Sequence, residues 1–392
     1  TVTRGDEVTI TVSHSDAADL TVGSDDNGFN LSVELGGSGT TEVVLDTRQT
    51  TAADPAEFVE GGTPTLHSDP LSEPMKPAEY TLEVEIDGVE RAVGVLVVEP
   101  RGEYAMTGSR APGAFDPSES AGGEDGDADV GPLRGATSPG TAVARGDYAV
   151  VRIEESGLET AVNASDLTGG AGANGLKLNF TQTDPGPNTQ PREYVATDDA
   201  EVTVLPNLAE DEIYVVWNTT GIELEDIDAR NRYRASFALT AESGFVDAET
   251  TLATATFDLR RQSVSLSPVR DTTQYPWDND TFVVEGRTTR APGTELEVRV
   301  RSPDPGPFLL IRDATVGDDG SFAASFDLGD VDRRTNATVW VREHFAETEH
   351  RIHLVAPDPT VRFRNQTVDG TTVELTRAEL PEGGFVRLVD GS

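Results

Sequence analysis

Three histidines fall together in the stretch REHFAETEHRIH, as His344, His350 and His353, and imidazole is the side chain most often recruited to hold zinc. The stretch reads as a strand, however, which puts His350 and His353 on opposite faces, so they cannot share an ion. They are expected as exposed strand residues. In DGDADV, Asp125, Asp127 and Asp129 repeat at alternate positions like the first half of a calcium loop. The glycine such a loop needs at its sixth place is Val130, and the acid needed at its twelfth is Ala136. A solvated acidic loop with weak affinity for calcium or magnesium is the expectation. Other carboxylates are too numerous for any two to stand out as a glycosidase pair. G-x-S-x-G, H-E-x-x-H, P-loop and G-x-G-x-x-G patterns are absent. No catalytic residue and no resident cofactor are expected, and the chain does not read as an enzyme.

One modification signal is strong. N-x-[ST] acceptors occur at Asn30, Asn163, Asn179, Asn218, Asn279, Asn336 and Asn365, seven of twelve asparagines and more than composition alone would supply. Together they predict a glycosylated protein outside the cell. Trp217, Trp277 and Trp340 are residue types that stack on sugars, but the expected role is to anchor sandwich cores.

Arg-Gly-Asp occurs twice, at residues 4–6 and 145–147. Cell adhesion through that tripeptide needs display on an exposed loop tip. Here each copy feeds an alternating run instead: Val8, Ile10 and Val12 after the first, Ala149, Val151 and Ile153 after the second. Gly293 leads into Leu296, Val298 and Val300 in the same way. A glycine turn followed by apolar residues with period two is a half-buried strand, so the tripeptide reads as the start of a repeated β domain.

The elements around these residues are nearly all strands. Tyr80, Leu82, Val84 and Ile86 alternate with polar residues up to Asp87-Gly88, a two-residue hairpin turn. Similar short strands recur along the chain, which predicts an all-β protein of tandem immunoglobulin-like antiparallel β-sandwiches. The expected divisions are a sandwich over 1–107, an acidic Pro/Gly-rich linker or long loop over 108–142, sandwiches over 143–266 and 267–355, and a partial β domain or strand-donating tail over 356–392.

The surface chemistry excludes several partners. With 70 acidic and 30 basic residues the net charge is −40, which repels nucleic acid and anionic membranes. In molar salt the Debye length falls to about 3 Å and that self-repulsion is screened. Lys76 and Lys177 are the only lysines beside 28 arginines, a bias toward the weakly hydrated cation. There is no cysteine, and no apolar run approaches membrane-spanning length. Membrane attachment is therefore expected only through an anchor outside this sequence.

The segments RGDEVTITV, YTLEVEIDGVERAVGVLVVEPR, RGDYAVVRIEESGLE, TFVVEGRTTRAPGTELEVRVRSPDPGPF and GDDGSFAASFDLGD resemble, in that order, parts of haloarchaeal surface glycoproteins of the S-layer type that carry the BGTF surface domain. The resemblance covers roughly residues 1 to 355. VELTRAELPEGGFVRLVDGS looks like the beginning of a further domain of haloarchaeal secreted proteins. What the resemblance implies is secretion, N-glycosylation at matching sequons, a place at the cell surface or cell wall, and in the S-layer branch a lattice supported by divalent cations. Expected partners are further copies of the chain or other surface glycoproteins. The alternatives are a filament joined by strand donation and an adhesin or polysaccharide-binding ectodomain.

Overall fold

The computed structural model describes residues 1–120, 128–158, 175–195, 201–267, 273–276, 281–303, 307–328, 331, 335–355, 359–367, 370, 372–380 and 384–389. Alternating apolar and polar residues set the architecture, because each strand can bury only one face unless something covers the other. Three pairs of sheets form in chain order.

In the first, a six-stranded sheet runs in the order Val2–Thr3, Val89–Glu99, Ala78–Ile86, Ala18–Ser24, Phe29–Leu35, Thr63–Leu66. It shares a core with the sheet Glu7–His14, Gly39–Asp46, Val59–Glu60. Leu20, Val33, Phe29 and Leu45 lie at its centre. The Asp87-Gly88 hairpin is present, with φ of 55° and 69° at the two turn residues and strands paired from Ile86↔Val89 outward. These are the left-handed conformations a two-residue turn of matching twist requires.

The second pair joins a sheet ordered Ser138–Pro139, Ala105–Ala111, Tyr148–Glu154, Glu212–Asn218, Val202–Asn207 to one ordered Ala142–Ala144, Thr250–Arg260, Arg232–Leu239, Leu176–Gln182, Glu193–Val195. Trp217 fills its centre, stacked on Phe180 with ring centroids 4.5 Å apart and edge-on to Tyr233. In the third, Val264–Ser267, Thr281–Thr288 and Ser321–Asp327 pack on Thr273–Pro276, Glu347–Val355, Thr335–Arg342, Glu295–Ser302 and Phe308–Thr315. Leu296, Val298 and Val300, the alternating positions after Gly293, are fully buried there.

The stretch 108–142 differs from the expected linker. Ala105–Ala111 is a strand paired with Tyr148–Glu154 in register Ala105↔Glu154 to Ala111↔Tyr148. A one-and-a-half-turn helix, Gly131–Ala136, buries Leu133 against Val150, Leu205, Tyr214 and Val216. This cover explains why Ala149, Val150 and Val151 are all buried in consecutive positions. Asp125 and Asp127 lie outside the described residues.

The chain divides into two compact units. One holds the first two sandwiches. The other holds the third together with Pro112–Ala114, Ala144–Asp147 and the remaining C-terminal residues. Beyond the third sandwich, Thr360–Arg362 pairs with Arg377–Glu379 as a small hairpin, and Phe363, Phe385 and Leu388 are exposed. No helix among the described residues is long and apolar enough to cross a membrane.

Candidate functional site

The two Arg-Gly-Asp copies are clamps. In the first unit, Arg4 donates from Nε to the Met75 carbonyl (3.0 Å) and from Nη2 to the Pro74 carbonyl (2.9 Å) and Glu73 (3.0 Å). Gly5 N–H donates to Thr47 Oγ1 (2.7 Å), and that hydroxyl donates to the Asp6 carbonyl (2.8 Å). Gly5 has φ of 109°, and a Cβ there would lie 2.1 Å from the carbonyl oxygen of Gly157 in the second sandwich. Gly157, itself at φ 76°, has the Arg4 carbonyl equally close to its own Cβ position. Glycine at both places lets two backbones touch where any side chain would separate them. Phe245 packs against this contact, with the Arg101 guanidinium 4.1 Å and that of Arg4 5.5 Å from its ring centroid. Beside it the Tyr104 hydroxyl donates to the Ser156 carbonyl (2.5 Å), and burial pushes its pKa up to about 12.

The second copy, in the other unit, is more deeply buried. Asp147 is 1% exposed. Its carboxylate accepts from Arg290 Nε (2.8 Å), Ala291 N–H (2.7 Å) and Gly113 N–H (3.2 Å). Arg290 pairs in turn with Glu343, placing one guanidinium between two buried carboxylates. Burial pushes both carboxyls up, and Arg290 pulls both back. Gln262 ties the backbone, donating to the Arg145 carbonyl (2.7 Å) and accepting from Phe345 N–H (3.0 Å). The Arg145 guanidinium lies 4.2 Å from the Phe345 ring centroid. A Cβ on Gly146 would sit 2.9 Å from Gln262 Nε2, with φ at 92°. Neither Asp6 nor Asp147 is displayed on a loop tip, so neither copy has the presentation adhesion requires.

Arg290, Glu343, Gln262 and the two phenylalanines were not legible as partners, since Asp147 and Arg290 are 143 residues apart. One signal existed. Arg-Ala-Pro-Gly occurs at 110–113 and again at 290–293, and both copies supply an amide to Asp147.

The glycosylation acceptors differ in what their amides do. Asn30 Nδ2 donates to Asp25 (2.9 Å) and Asn179 Nδ2 donates to Glu193, so folding engages one of the two N–H groups on the nitrogen that would carry sugar. Asn218 uses Oδ1 to accept from Thr220 N–H (2.9 Å). Asn336 is exposed, and its Oδ1 is held by His353 Nδ1 at 2.7 Å. Asn365 is exposed, while Asn163 and Asn279 lie outside the described residues.

Of the metal candidates, Asp125 and Asp127 lie outside the described residues. Asp129, just before the short helix, accepts from Gly131 N–H at 3.1 Å. His350 departs from the expected exposure, because its parity with the inward Ile352 and Leu354 turns it to the interior; His353 faces the exterior of the same strand, and the exposed His344 sits edge-on to Phe345. No group of three metal-binding side chains occurs among the described residues. Trp217 is a core anchor as expected, Trp277 lies outside the described residues, and Trp340 lies half-buried on an outer sheet face.

Successive two-sheet sandwiches, each built around its own apolar core, define a β-sandwich protein of the tandem immunoglobulin-like class. No family model matches the chain. It is related to haloarchaeal cell surface glycoproteins: 27% identical to cell surface glycoprotein 1 of Haloarcula hispanica over 64% of this chain and 31% of that one, and 26% identical to the cell surface glycoprotein of Haloferax gibbonsii over 83% and 39%. The chain thus spans well under half the length of these relatives. Solved tandem immunoglobulin arrays align along it with little superposition: Drosophila OTK domains 3–5 (11% identity, TM-score 0.21, 91% of this chain and 93% of that one) and titin A168–A170 (9%, 0.26, 91% and 96%). The fold class rests on the strands and sheets themselves.

Proposed function

We propose that the chain is a structural segment of a glycosylated cell-surface protein of an extreme halophile, acting through contacts with further copies or other surface glycoproteins in an S-layer-like array. The observation that carries the reading is the Arg4-Gly5 backbone seated directly on Gly157, which fixes one sandwich to the next where a flexible linker would have served a mobile binding module. A net charge of −40 suits a surface bathed in concentrated salt, and the relatives' names support the location. Calcium or magnesium would contribute by bridging the acidic surfaces of neighbouring molecules rather than through a built site.

The test is accessibility on intact cells. An epitope in an exposed loop of the chain, such as Gly36–Gly37, is expected to bind antibody without permeabilisation. Labelling only after lysis would contradict the surface assignment.

A further inference from the structure

The outer face of the third sandwich carries an unusual row of side chains for a surface in water. Strand registers place Ile311, Arg299, Trp340 and Glu349 in one rung, and Leu309, Arg301, Thr338 and Arg351 in the next. Leu309 is 53% and Ile311 39% exposed. Beside Leu309 lies a shallow depression of about 350 Å³ lined by Arg299, Arg301, Leu309, Thr338, Trp340 and Glu349, among others. The Arg299 and Arg342 guanidiniums lie over the indole at 5.1 and 5.8 Å from its centroid, within cation–π range. Arg301 and Arg351 form no ion pair among the described residues.

Thr338 belongs to two features at once. It lines the depression, and it is the hydroxyl residue of the sequon Asn336-Ala337-Thr338. Asn336 and Trp340 share a strand face four residues apart, about 13 Å at the usual rise of a strand. His353 holds Asn336 Oδ1, leaving Nδ2 without a protein partner among the described residues.

We infer that this depression is the resting place of the glycan carried by Asn336 of the same chain. A saccharide offers an apolar C–H face, which suits Leu309 and the indole of Trp340. It also offers a rim of hydroxyls, which suits Arg301, Arg299 and Glu349 as donors and acceptor. A glycan laid there covers the exposed apolar side chains and stiffens the sugar against the sheet. The inference rests on the glycoprotein reading.

The experiment is hydroxyl-radical footprinting, read by mass spectrometry, of the full chain purified from a halophilic host, with sequon occupancy measured in the same digests. Trp340 and Leu309 are expected to oxidise several-fold more slowly in the glycosylated chain than in Asn336→Gln, while Val93 and Val95 in the other unit stay unchanged. Arg301→Gln, which keeps the sequon, is expected to restore much of the oxidation. Equal footprints in an Asn336-occupied chain and Asn336→Gln overturn the inference, as does an unmodified Asn336 beside occupied sequons elsewhere. Absence of sugar at every sequon would instead overturn the glycoprotein reading, and the inference with it.

Discussion

Replacing Arg290 with methionine probes the buried triad of the second unit. The guanidinium sits between Asp147 and Glu343, and its removal takes from both carboxylates the cation they share, in a site where Asp147 is fully enclosed. Breaking a buried pair from one side costs about 3–5 kcal/mol. For a sandwich of this size each kcal/mol moves the melting temperature by about 4–8 °C, so a drop of at least about 12 °C is expected. The pH dependence has a definite sign. Burial already raises the pKa of Asp147 and Glu343, and Arg290 opposes that rise, so without it both go higher. A folded-state carboxyl raised above its unfolded value favours the native state fully only below the unfolded pKa, near 4, and that advantage is lost as pH climbs through the folded value. The variant's deficit is therefore largest at neutral pH and shrinks on acidification toward pH 4. Thermal unfolding in molar salt at pH 7 and 4.5, alone and combined with Asp147→Asn and Glu343→Gln, reads this directly. A variant within about 1 kcal/mol of the parent, or a deficit independent of pH, would refute the reasoning.

Other consequences are open to test. Gly5→Ala forces a Cβ onto the Gly157 carbonyl at positive φ and is expected to cost more than about 1 kcal/mol and to open the first two sandwiches to proteolysis near Arg101; unchanged melting and digestion would count against the clamp. Raising salt from about 0.1 M to 1 M shortens the Debye length from about 10 to 3 Å and should raise the melting temperature of a chain at −40, whereas a flat profile would show that charge repulsion is not what limits it. Burial pushes Tyr104 and Tyr233 up to about 12 and also raises Tyr80, Tyr148 and Tyr214, so ultraviolet titration should show several of the seven tyrosines ionising late, Tyr104 and Tyr233 among them. The stability from keeping Tyr104 and Tyr233 neutral is present below about pH 10 and is lost as pH rises through about 12, so their late phase should coincide with unfolding. Peptide mapping should find Asn336 and Asn218 more fully modified than Asn30 and Asn179, whose amides are bonded to Asp25 and Glu193; equal or reversed occupancy would mean that these bonds do not hold modification back.

Much of the fold could be read locally, because strand burial is a period-two property of adjacent residues. Leu296, Val298 and Val300, or the turn at Asp87-Gly88, announce themselves within ten residues. The stretch 108–142 escaped that reading. Its strand AMTGSRA has little alternation, and its helix is short and carries one buried leucine, Leu133, in a region rich in glycine and acid. The clamps escaped for a different reason. Arg-Gly-Asp shows where a turn begins, but the partners that bury Asp147 come from positions 113 and 290–291, a proximity that only the folded sheets create. Trp340 shows the limit of composition: a tryptophan in a sandwich is usually core, and only its parity on the Thr335–Arg342 strand, with Val339 and Val341 inward, turns it outward.

The proposed assembly of the chain into a surface array can be imaged. Electron cryo-tomography of intact cell surfaces in high salt with calcium, with the chain carrying a dense label, addresses it directly. A repeating array with the label at one position in every unit cell and sandwiches in mutual contact is the expected result. Labels scattered without order over the surface, as isolated molecules, would contradict it.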